Sequence, residues 1–183
     1  MRRVSVVGNA GSGKSTLGRR LAERLGVPYV ELDAIHHLPG WTPIDPDEFI
    51  RQIELATAGD GWVVDGNYRA GVVEGPVWQR ADTVMWLDLP RAAVMRQLVP
   101  RTLRRLLTRE ELWNGNREPW ANVARWDHRR NILRWAWTQH AKYVARYGSA
   151  ATDPAFGHLT FVRLRSRAEA EAFLATVEPV QLP

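Results

Sequence analysis

A short glycine-rich segment near the start of the chain constrains its fold more than any other feature. Residues 8–15 read Gly-Asn-Ala-Gly-Ser-Gly-Lys-Ser, which matches the pattern G-x-x-x-x-G-K-[ST] of a phosphate-binding loop. Glycines let the backbone curl so that successive N–H groups point at phosphate oxygens, and a following helix adds the positive end of its dipole. At average residue abundances, a chance match in a chain of this length is expected in less than about one case in a hundred. The motif therefore predicts a nucleoside triphosphate site.

The motif also predicts roles for individual side chains. Lys14 is expected to neutralise oxygens of the β- and γ-phosphates, and Ser15 is expected to bind Mg²⁺. Thr16 is expected to add a further phosphate contact. The predicted nucleotide-binding residues are Gly8, Gly11, Ser12, Gly13, Lys14, Ser15 and Thr16.

Short apolar runs alternate with longer amphipathic ones, which is the pattern of β-α-β units around a parallel sheet. The apolar runs predict strands at 3–7, 28–32, 61–65, 83–87 and 160–164. Helix signals predict helices at 14–25, at 45–58, from 90 with an interruption near Pro100, at 120–147 and at 166–177. We therefore expect an α/β fold in which a five-stranded parallel sheet is wrapped by helices. We expect one domain over residues 1–183, with a helical, lid-like insertion at about 101–120.

Composition limits the classes of protein to which the chain can belong. Its hydrophobic fraction of 45% and charged fraction of 25% are those of a globular protein. The chain has no cysteine, which excludes disulfides and thiolate metal sites. No apolar run approaches the ~20 residues that a membrane span needs, and the N-terminus lacks a signal-peptide core. These observations favour a soluble, cytoplasmic protein.

Three aspartates stand at the carboxyl ends of predicted strands, where ligands bind in parallel α/β sheets. Asp65 ends an apolar strand, and a carboxylate there can hold Mg²⁺ through its waters, although Asp-Gly-Asn is also a common turn composition. Asp33 could orient or deprotonate an acceptor hydroxyl, or could cap a turn. For Asp88, which precedes a helix start, capping is the favoured role. Trp41, in the loop after Asp33, is expected to line an acceptor pocket.

Positive charge is concentrated in the second half of the chain. Residues 91–146 carry 13 Lys and Arg against 4 Asp and Glu, within a net charge of +5. Such a block can bind the phosphates of a nucleotide or of a nucleic acid, or can be a solvated helical face. The predicted helix at 120–147 would place Leu133, Trp137, His140, Val144 and Tyr147 on one face, and Arg130, Arg134, Lys142 and Arg146 on its polar side.

These motifs together resemble the P-loop nucleoside and nucleotide kinase group, whose best-known members are the adenylate kinases. The phosphate loop carries the resemblance most strongly, and the segments WVVDGNYR and MWLDLP are similar to the third strand and the lid entry of that group. Within the group, the segments ELDAIHHLPGW, VVDGNY and ELWNGNRE are closer to bacterial topology modulation (FlaR-like) proteins. The resemblance covers roughly residues 3–175.

The resemblance implies further site residues. It places Asp65 at the metal-associated position and Arg69 at the position of an arginine that binds the acceptor phosphate. It also makes Arg101, Arg105 and Arg117 the lid arginines that close on the transferring phosphoryl group, with Arg101 contacting the substrate. The segment after Asp33 does not match the pattern by which adenylate kinases grip AMP, so the acceptor stays open.

We therefore expect a kinase that uses ATP and Mg²⁺ to phosphorylate a small acceptor, with a nucleoside or nucleotide among the candidates. Phosphoryl transfer mainly needs positioning and charge neutralisation, which Lys14, Ser15, Asp65 and the lid arginines would supply. The alternative is a nucleotide-gated regulatory protein that binds nucleic acid, as in DNA topology modulation, through the basic block at 91–146. Hydrolysis of the nucleotide without an acceptor is a third hypothesis.

Overall fold

The strands of the computed structural model, which describes residues 1–124 and 131–180, form one parallel sheet and one short ribbon. The five strands of the sheet, in spatial order, are β2 (Tyr29–Glu31), β5 (Trp62–Asp65), β1 (Arg3–Gly8), β6 (Thr83–Leu87) and β7 (Thr160–Leu164). The antiparallel ribbon pairs β3 (His37–Leu38) with β4 (Thr42–Pro43). The predicted α/β fold with a five-stranded parallel sheet is confirmed.

Helices connect the strands, and a capping side chain marks the start of α3. They are α1 (Lys14–Leu25), α2 (Leu32–His36), α3 (Pro46–Ala56), α4 (Pro76–Arg80), α5 (Arg91–Thr108), α6 (Ala121–Ala124), α7 (Ile132–Ala150) and α8 (Arg167–Thr176). The Asp45 carboxylate caps α3, near the predicted start of a helix at residue 45, by accepting from the N–H groups of Asp47 and Glu48. No helix within the described residues is long and apolar enough to cross a membrane.

Apolar side chains fill both faces of the sheet. Alternate residues of β1 serve the two sides: Val7 packs with Trp62 and Trp78, whereas Val4 and Val6 pack with Leu17 and Leu21 of α1. Central strands buried on both faces read as continuous apolar runs, which is why these strands could be predicted from the sequence. The core thereby holds the carboxyl ends of the strands as a rigid edge.

α5 differs from its prediction because it continues through Pro100. A proline inside a helix removes one backbone hydrogen bond and favours a break. Here the face formed by Val94, Leu98, Thr102 and Leu106 is buried on both sides of the proline, and this packing outweighs the lost bond. The predicted insertion at 101–120 is therefore helical only as far as Thr108. Beyond α5 the backbone is mostly irregular up to α6, with one short 3-10 turn at Trp113–Gly115.

The predicted long helix at 120–147 is also wrong. Asn131 has extended dihedral angles, and its side chain caps α7 by accepting from the N–H groups of Leu133 and Arg134. The buried face of α7 comprises Ala136, Tyr143, Tyr147 and Ala150, whereas Trp137 is 51% exposed. α7 contacts the phosphate loop at the small, buried Ala136, whose carbonyl accepts from Asn9 Nδ2. Arg130, predicted for the polar face, lies outside the described residues.

A pair of leucine substitutions tests the core that supports α1. Leu21→Ala removes a side chain with no exposed surface, and it should lower the free energy of unfolding by about 2–5 kcal/mol. Leu55→Ala on α3 is the control, because Leu55 is 61% exposed and its loss should change stability by less than about 0.5 kcal/mol. Urea denaturation followed by circular dichroism measures both. Equal losses would contradict the described packing of α1.

Candidate active site

The phosphate loop lies between β1 and α1, and its glycines have the conformations that only glycine adopts readily. Gly8, Gly11 and Gly13 have φ values of 147°, 81° and 97°. A Cβ added at Gly8 would lie 2.7 Å from the carbonyl oxygen of Leu87, so this position excludes any side chain. The hydroxyl of Ser12 is buried without a hydrogen-bond partner among the described residues. Such an orphaned donor inside the loop fits a phosphate oxygen as its partner.

Two asparagines, Asn67 outside the phosphate loop and Asn9 within it, tie the loop to neighbouring elements. Asn67 Oδ1 accepts from the backbone N–H of Gly8 at 3.1 Å, and its Nδ2 donates to the Gly8 carbonyl at 2.7 Å. Asn67 Oδ1 also accepts from the hydroxyl of Tyr147 at 2.9 Å. Asn9 Nδ2 donates to the Ala136 carbonyl at 2.7 Å. The loop is thus tied to the end of β5 and to α7, and neither tie was predicted from the sequence.

Oxygen ligands converge beside Ser15. Its hydroxyl donates to Asp65 Oδ2 at 2.7 Å and lies 3.4 Å from Glu31 Oε1. Asp65 is 4% exposed and also accepts from the hydroxyl of Tyr29 at 3.1 Å. Burial and the neighbouring Asp65 raise the pKa of Glu31. A hydroxyl and two close, partly buried carboxylates are hard oxygen donors whose repulsion a divalent cation would relieve, so they fit Mg²⁺.

Glu31 was not predicted, although it ends β2 two residues before Asp33. Its other partner is Arg19, whose guanidinium lies 2.6 Å from Glu31 Oε2. The position of Glu31 at the carboxyl end of a parallel strand is the signal that could have identified it. No cluster of three or more His, Cys, Asp or Glu that could hold a metal occurs among the described side chains. A metal here would therefore depend on Ser15 and on phosphate oxygens as well.

A cavity of about 620 Å³ opens beside the phosphate loop. Lys14 and Asp33 both line it, as do Asn67 and Tyr68 at the end of β5. The Tyr68 hydroxyl donates to Asp33 Oδ1 at 2.6 Å, and burial together with this carboxylate raises the pKa of Tyr68. The tyrosine fixes one oxygen of Asp33 and leaves the other as an acceptor for a ligand hydroxyl. Tyr68 has no periodic signal in the sequence, and its contact with Asp33 was missed.

The position of each arginine around α5 decides whether it faces the cavity. Arg101 and Arg105 lie one helical turn apart and line the cavity. The Nε atoms of both are buried without a hydrogen-bond partner in the described part of the chain. Burial and the adjacent Arg105 lower the pKa of Arg101. The lining also includes Lys14 and the carboxylates of Asp33 and Glu118, and Arg105 Nε lies 3.7 Å from Glu110 Oε1. Within this mixed lining, the adjacent arginines provide a local site for an anionic group.

The structure places Arg69 and Arg117 outside the cavity lining, and it gives Asp88 a partner other than the predicted helix cap. Arg69 does not line the cavity: its side chain is 68% exposed and its guanidinium lies 2.6 Å from Glu74. Arg117 also lies outside the lining and is 3.9 Å from Glu111, while its carbonyl accepts from the indole N–H of Trp41. Asp88 does not cap α5 but accepts from the guanidinium of Arg163. Arg69 and Arg117 each lie near an exposed glutamate, Glu74 and Glu111 respectively, instead of extending to the cavity.

Trp41 lines the cavity, within a loop that is bound to the segment after α5. The 34–41 loop and the 113–117 segment are joined mainly by two asparagines. Asn114 Nδ2 donates to the carbonyls of Ala34 and His37, at 2.9 and 2.7 Å, and Asn116 Nδ2 donates to that of Leu38 at 3.0 Å. The two segments therefore form one wall, which the sequence did not predict.

The remaining motif residues lie where the motif predicts, at the start of α1. Lys14 Nζ donates to the Asn9 carbonyl at 3.3 Å, a long contact that a phosphate oxygen could replace. Thr16 is exposed in the first turn of α1. Their contacts with a nucleotide remain predictions.

Comparisons with known proteins agree with this geometry. A family model described as shikimate kinase matches residues 10–38, which include the phosphate loop from Ala10 onward, α1, β2 and Asp33. A shikimate kinase of Synechococcus elongatus is 31% identical over 141 residues, covering 64% of this chain and 72% of the relative.

Solved structures share the fold. A shikimate kinase from Bacteroides thetaiotaomicron superposes with a TM-score of 0.57 at 14% identity, covering 95% of this chain and 94% of that one. A gluconokinase from Sinorhizobium meliloti superposes with a TM-score of 0.50 at 19% identity, covering 97% and 93%.

Nucleotide binding should stabilise the protein against heat. At a hundredfold excess over Kd, Mg·ATP adds about 2.7 kcal/mol, which corresponds to a rise in Tm of roughly 5–11 °C. Lys14→Ala should reduce this rise strongly, because it removes the cation at the β- and γ-phosphates. The other lysine of the chain supplies the control: Lys142→Ala, on the exposed side of α7, should keep the full shift. Differential scanning fluorimetry measures all three, and no shift of the wild type at millimolar nucleotide would contradict the site.

Proposed function

The chain belongs to the shikimate kinase family and is an ATP-dependent kinase, and on this premise we propose that it phosphorylates a hydroxyl of a small anionic acceptor bound beside Asp33. One observation supports the proposal most strongly: a single cavity unites Lys14, Asp33 and the cations Arg101 and Arg105. A phosphate-binding lysine, a carboxylate and a cation pair are the groups that phosphoryl transfer to an anionic alcohol needs.

The narrower resemblance to topology modulation proteins is not supported, because the matching family model and curated relatives are shikimate kinases. The alternative of nucleic-acid binding through the basic block is not supported either. Arg101 and Arg105 of that block line the cavity beside the phosphate loop, together with Lys14 and Asp33. The expectation of a nucleotide substrate and a small-molecule acceptor is confirmed at the level of the family.

The proposed reaction begins with the nucleotide in the phosphate loop. The backbone N–H groups of the loop and the start of α1 would bind its phosphates, and Lys14 would exchange its long contact with Asn9 for oxygens of the β- and γ-phosphates. Ser15, Asp65 and Glu31 would hold Mg²⁺ in the proposed site. The ion would neutralise charge on the phosphates as the leaving group departs.

Asp33 is the proposed general base. The acceptor hydroxyl gives its proton to the free oxygen of Asp33 while its oxygen forms a bond to the γ-phosphorus. The bond between that phosphorus and the β–γ bridging oxygen breaks, and ADP leaves with the electron pair. Tyr68 holds the other carboxylate oxygen in place through its 2.6 Å hydrogen bond. Arg105 and Lys14 would stabilise the charge on the phosphoryl group in transit.

The relatives suggest which acceptor to try first. Shikimate and gluconate, named in the matched kinases, are both polyhydroxylated carboxylates. A carboxylate suits Arg101, whose buried guanidinium gains a charged partner, and a hydroxyl suits Asp33. We propose an acceptor of this general kind. Acceptor-dependent formation of ADP, measured with a panel of hydroxy acids, sugars and nucleosides, tests the proposal, and ADP formation that no acceptor stimulates would favour plain hydrolysis.

Asp33→Asn should lower kcat roughly 10²- to 10⁴-fold, because the amide cannot take the proton from the acceptor. Tyr68→Phe should have a smaller effect, since it loosens the carboxylate without removing it. Steady-state assays coupled to ADP formation give kcat, and the Mg·ATP thermal shift checks that both variants still bind nucleotide. Asp33→Asn with wild-type kcat would rule out the proposed base.

Arg105→Ala should lower kcat by at least roughly tenfold with little change in the Kd for ATP, because its charge acts on the transferring phosphoryl group. Arg96→Ala on the same helix is the matched control. Arg96 is exposed and does not line the cavity, so its removal should leave kcat within about twofold. Stopped-time assays of ADP formation compare the two variants. If Arg96→Ala and Arg105→Ala had the same effect, the cavity arginine would have no specific role.

A further inference from the structure

The side chain of Asn67 takes the place of a strand partner at the end of β1. The pairing of β1 with β5 runs as far as Val6 opposite Asp65, so the same register continued by two residues puts Gly8 opposite Asn67. There the Asn67 amide replaces the backbone: Oδ1 accepts from the Gly8 N–H at 3.1 Å, and Nδ2 donates to the Gly8 carbonyl at 2.7 Å. Because the N–H only donates and the carbonyl only accepts, Gly8 also fixes which way round the amide lies.

Gly8 depends on such an external hold because it has no side chain of its own. Its φ of 147° lies in a region that glycine enters readily and other residues rarely adopt, so folding must restrict a backbone that is otherwise free. On its other side, Gly8 pairs with Leu87 of β6. The backbone of Gly8 is therefore held between β6 and the Asn67 amide, at the point where the strand becomes the phosphate loop.

The position of Gly8 bears directly on the groups that are expected to bind phosphate. A Cβ placed on Gly8 would lie 3.0 Å from the hydroxyl of Ser12, the buried donor without a partner among the described residues. The carbonyl of the next residue, Asn9, accepts from the N–H of Ser12 at 3.1 Å and from Lys14 Nζ at 3.3 Å. A shift of Gly8 would therefore displace both Ser12 and the carbonyl that Lys14 contacts.

Tyr147 of α7 holds Asn67 from the other side. Its hydroxyl donates to Asn67 Oδ1 at 2.9 Å, and the residue has no exposed surface. Burial raises the pKa of Tyr147, so the hydroxyl stays protonated and able to donate. The ring of Tyr143 stacks on that of Tyr147 with centroids 5.7 Å apart. Unlike Asn67, Tyr147 does not line the cavity, so it can act on a bound nucleotide only through other residues.

We propose that Asn67 is a positioning residue for the nucleotide: it holds Gly8, the first residue of the phosphate loop, and Tyr147 acts on the loop through it. The proposal rests on the proposed function only in requiring a nucleotide in the phosphate loop, and it needs no particular acceptor. A loop that is held in its binding conformation before the nucleotide arrives loses less conformational entropy on binding, which raises affinity. Without Asn67, that entropy is lost in the binding step.

A thermodynamic cycle on Asn67 and Tyr147 tests the proposal by isothermal titration with Mg·ADP. Asn67→Ala should raise Kd at least roughly tenfold, since both hydrogen bonds to Gly8 are lost, and Tyr147→Phe should raise it roughly two- to tenfold. Because Tyr147 acts through Asn67, the double variant should bind within about twofold of Asn67→Ala alone. Gln79→Ala is the control: this amide is exposed on α4 and does not line the cavity, so Kd should change by less than about twofold.

The Tm of the same variants separates positioning from a purely structural role. A lower Tm with an unchanged Kd in Asn67→Ala would overturn the proposal. Losses in affinity that multiply in the double variant would overturn it as well, because Tyr147 would then act independently of Asn67. If Asn67→Ala does not fold, Asn67→Asp replaces it: this variant has nearly the same volume, but its carboxylate cannot donate to the Gly8 carbonyl, so it should raise Kd by at least the same factor.

Failure of the proposed function would be recognised separately, as an absence of acceptor-dependent ADP formation with any compound, because these titrations need neither an acceptor nor turnover. A wild-type protein that did not bind Mg·ADP would overturn the positioning role together with the nucleotide site.

Discussion

The hydrogen bond between Ser15 and Asp65 joins the phosphate loop, its helix and the sheet, and the rest of the site is arranged around it. The bond depends on the parallel register, in which Val6 is paired with Asp65 and Asp65 with Glu31. The two carboxylates therefore end adjacent strands at the same edge, next to the turn at Gly8. A slip of one residue in β5 would turn Asp65 to the opposite face of the sheet. The core on both faces of the sheet prevents that slip.

Like charges lie close together at two places in the site, and bound ligands of opposite charge would relieve the repulsion between them. Burial raises the pKa of Glu31 beside Asp65, and it lowers the pKa of Arg101 beside Arg105. Glu31 and Arg101 each have a like charge nearby and reduced access to water, which disfavours their charged forms. A divalent cation at the carboxylates and an anion at the arginines would each remove such a repulsion. Charges arranged before the ligands arrive stabilise a phosphoryl group in transit without further reorganisation.

The sequence was sufficient for the sheet and for the phosphate loop because their signals are local. β1 is a continuous apolar run, and Gly8 to Ser15 is a fixed pattern of residue types. The partners of the loop could not be predicted in the same way. Asn67 and Tyr147 are 80 positions apart, and only the fold brings them together. Single polar residues have no periodicity that would reveal such a contact.

The arginines show a second limit of sequence reasoning. Pro100 suggested a break in the helix. The core-facing positions before it, Val94 and Leu98, therefore could not be used to predict which later residues face the core. Once α5 is continuous, Arg101 and Arg105 share a face with buried Thr102, and Arg104 turns outward to Glu110. Arg69 was assigned from the resemblance alone, and Glu74 lies close enough to pair with it. A resemblance predicts which residue occupies a position in the sequence, but nearby ion-pair partners determine which way its side chain extends.

The link between the 34–41 loop and the 113–117 segment connects the two halves of the proposed chemistry. Asp33 immediately precedes the loop, and Arg105 lies in the last turn of the helix that leads to the segment. Trp41 and Asn114 both have left-handed backbones, a conformation that is strained for tryptophan and readily adopted by asparagine, and hydrogen bonds across the link hold both residues. The positions of Asp33, the proposed base, and of Arg105, the proposed phosphoryl-binding cation, are therefore linked through these segments, and a ligand that contacts Trp41 would contact the link itself.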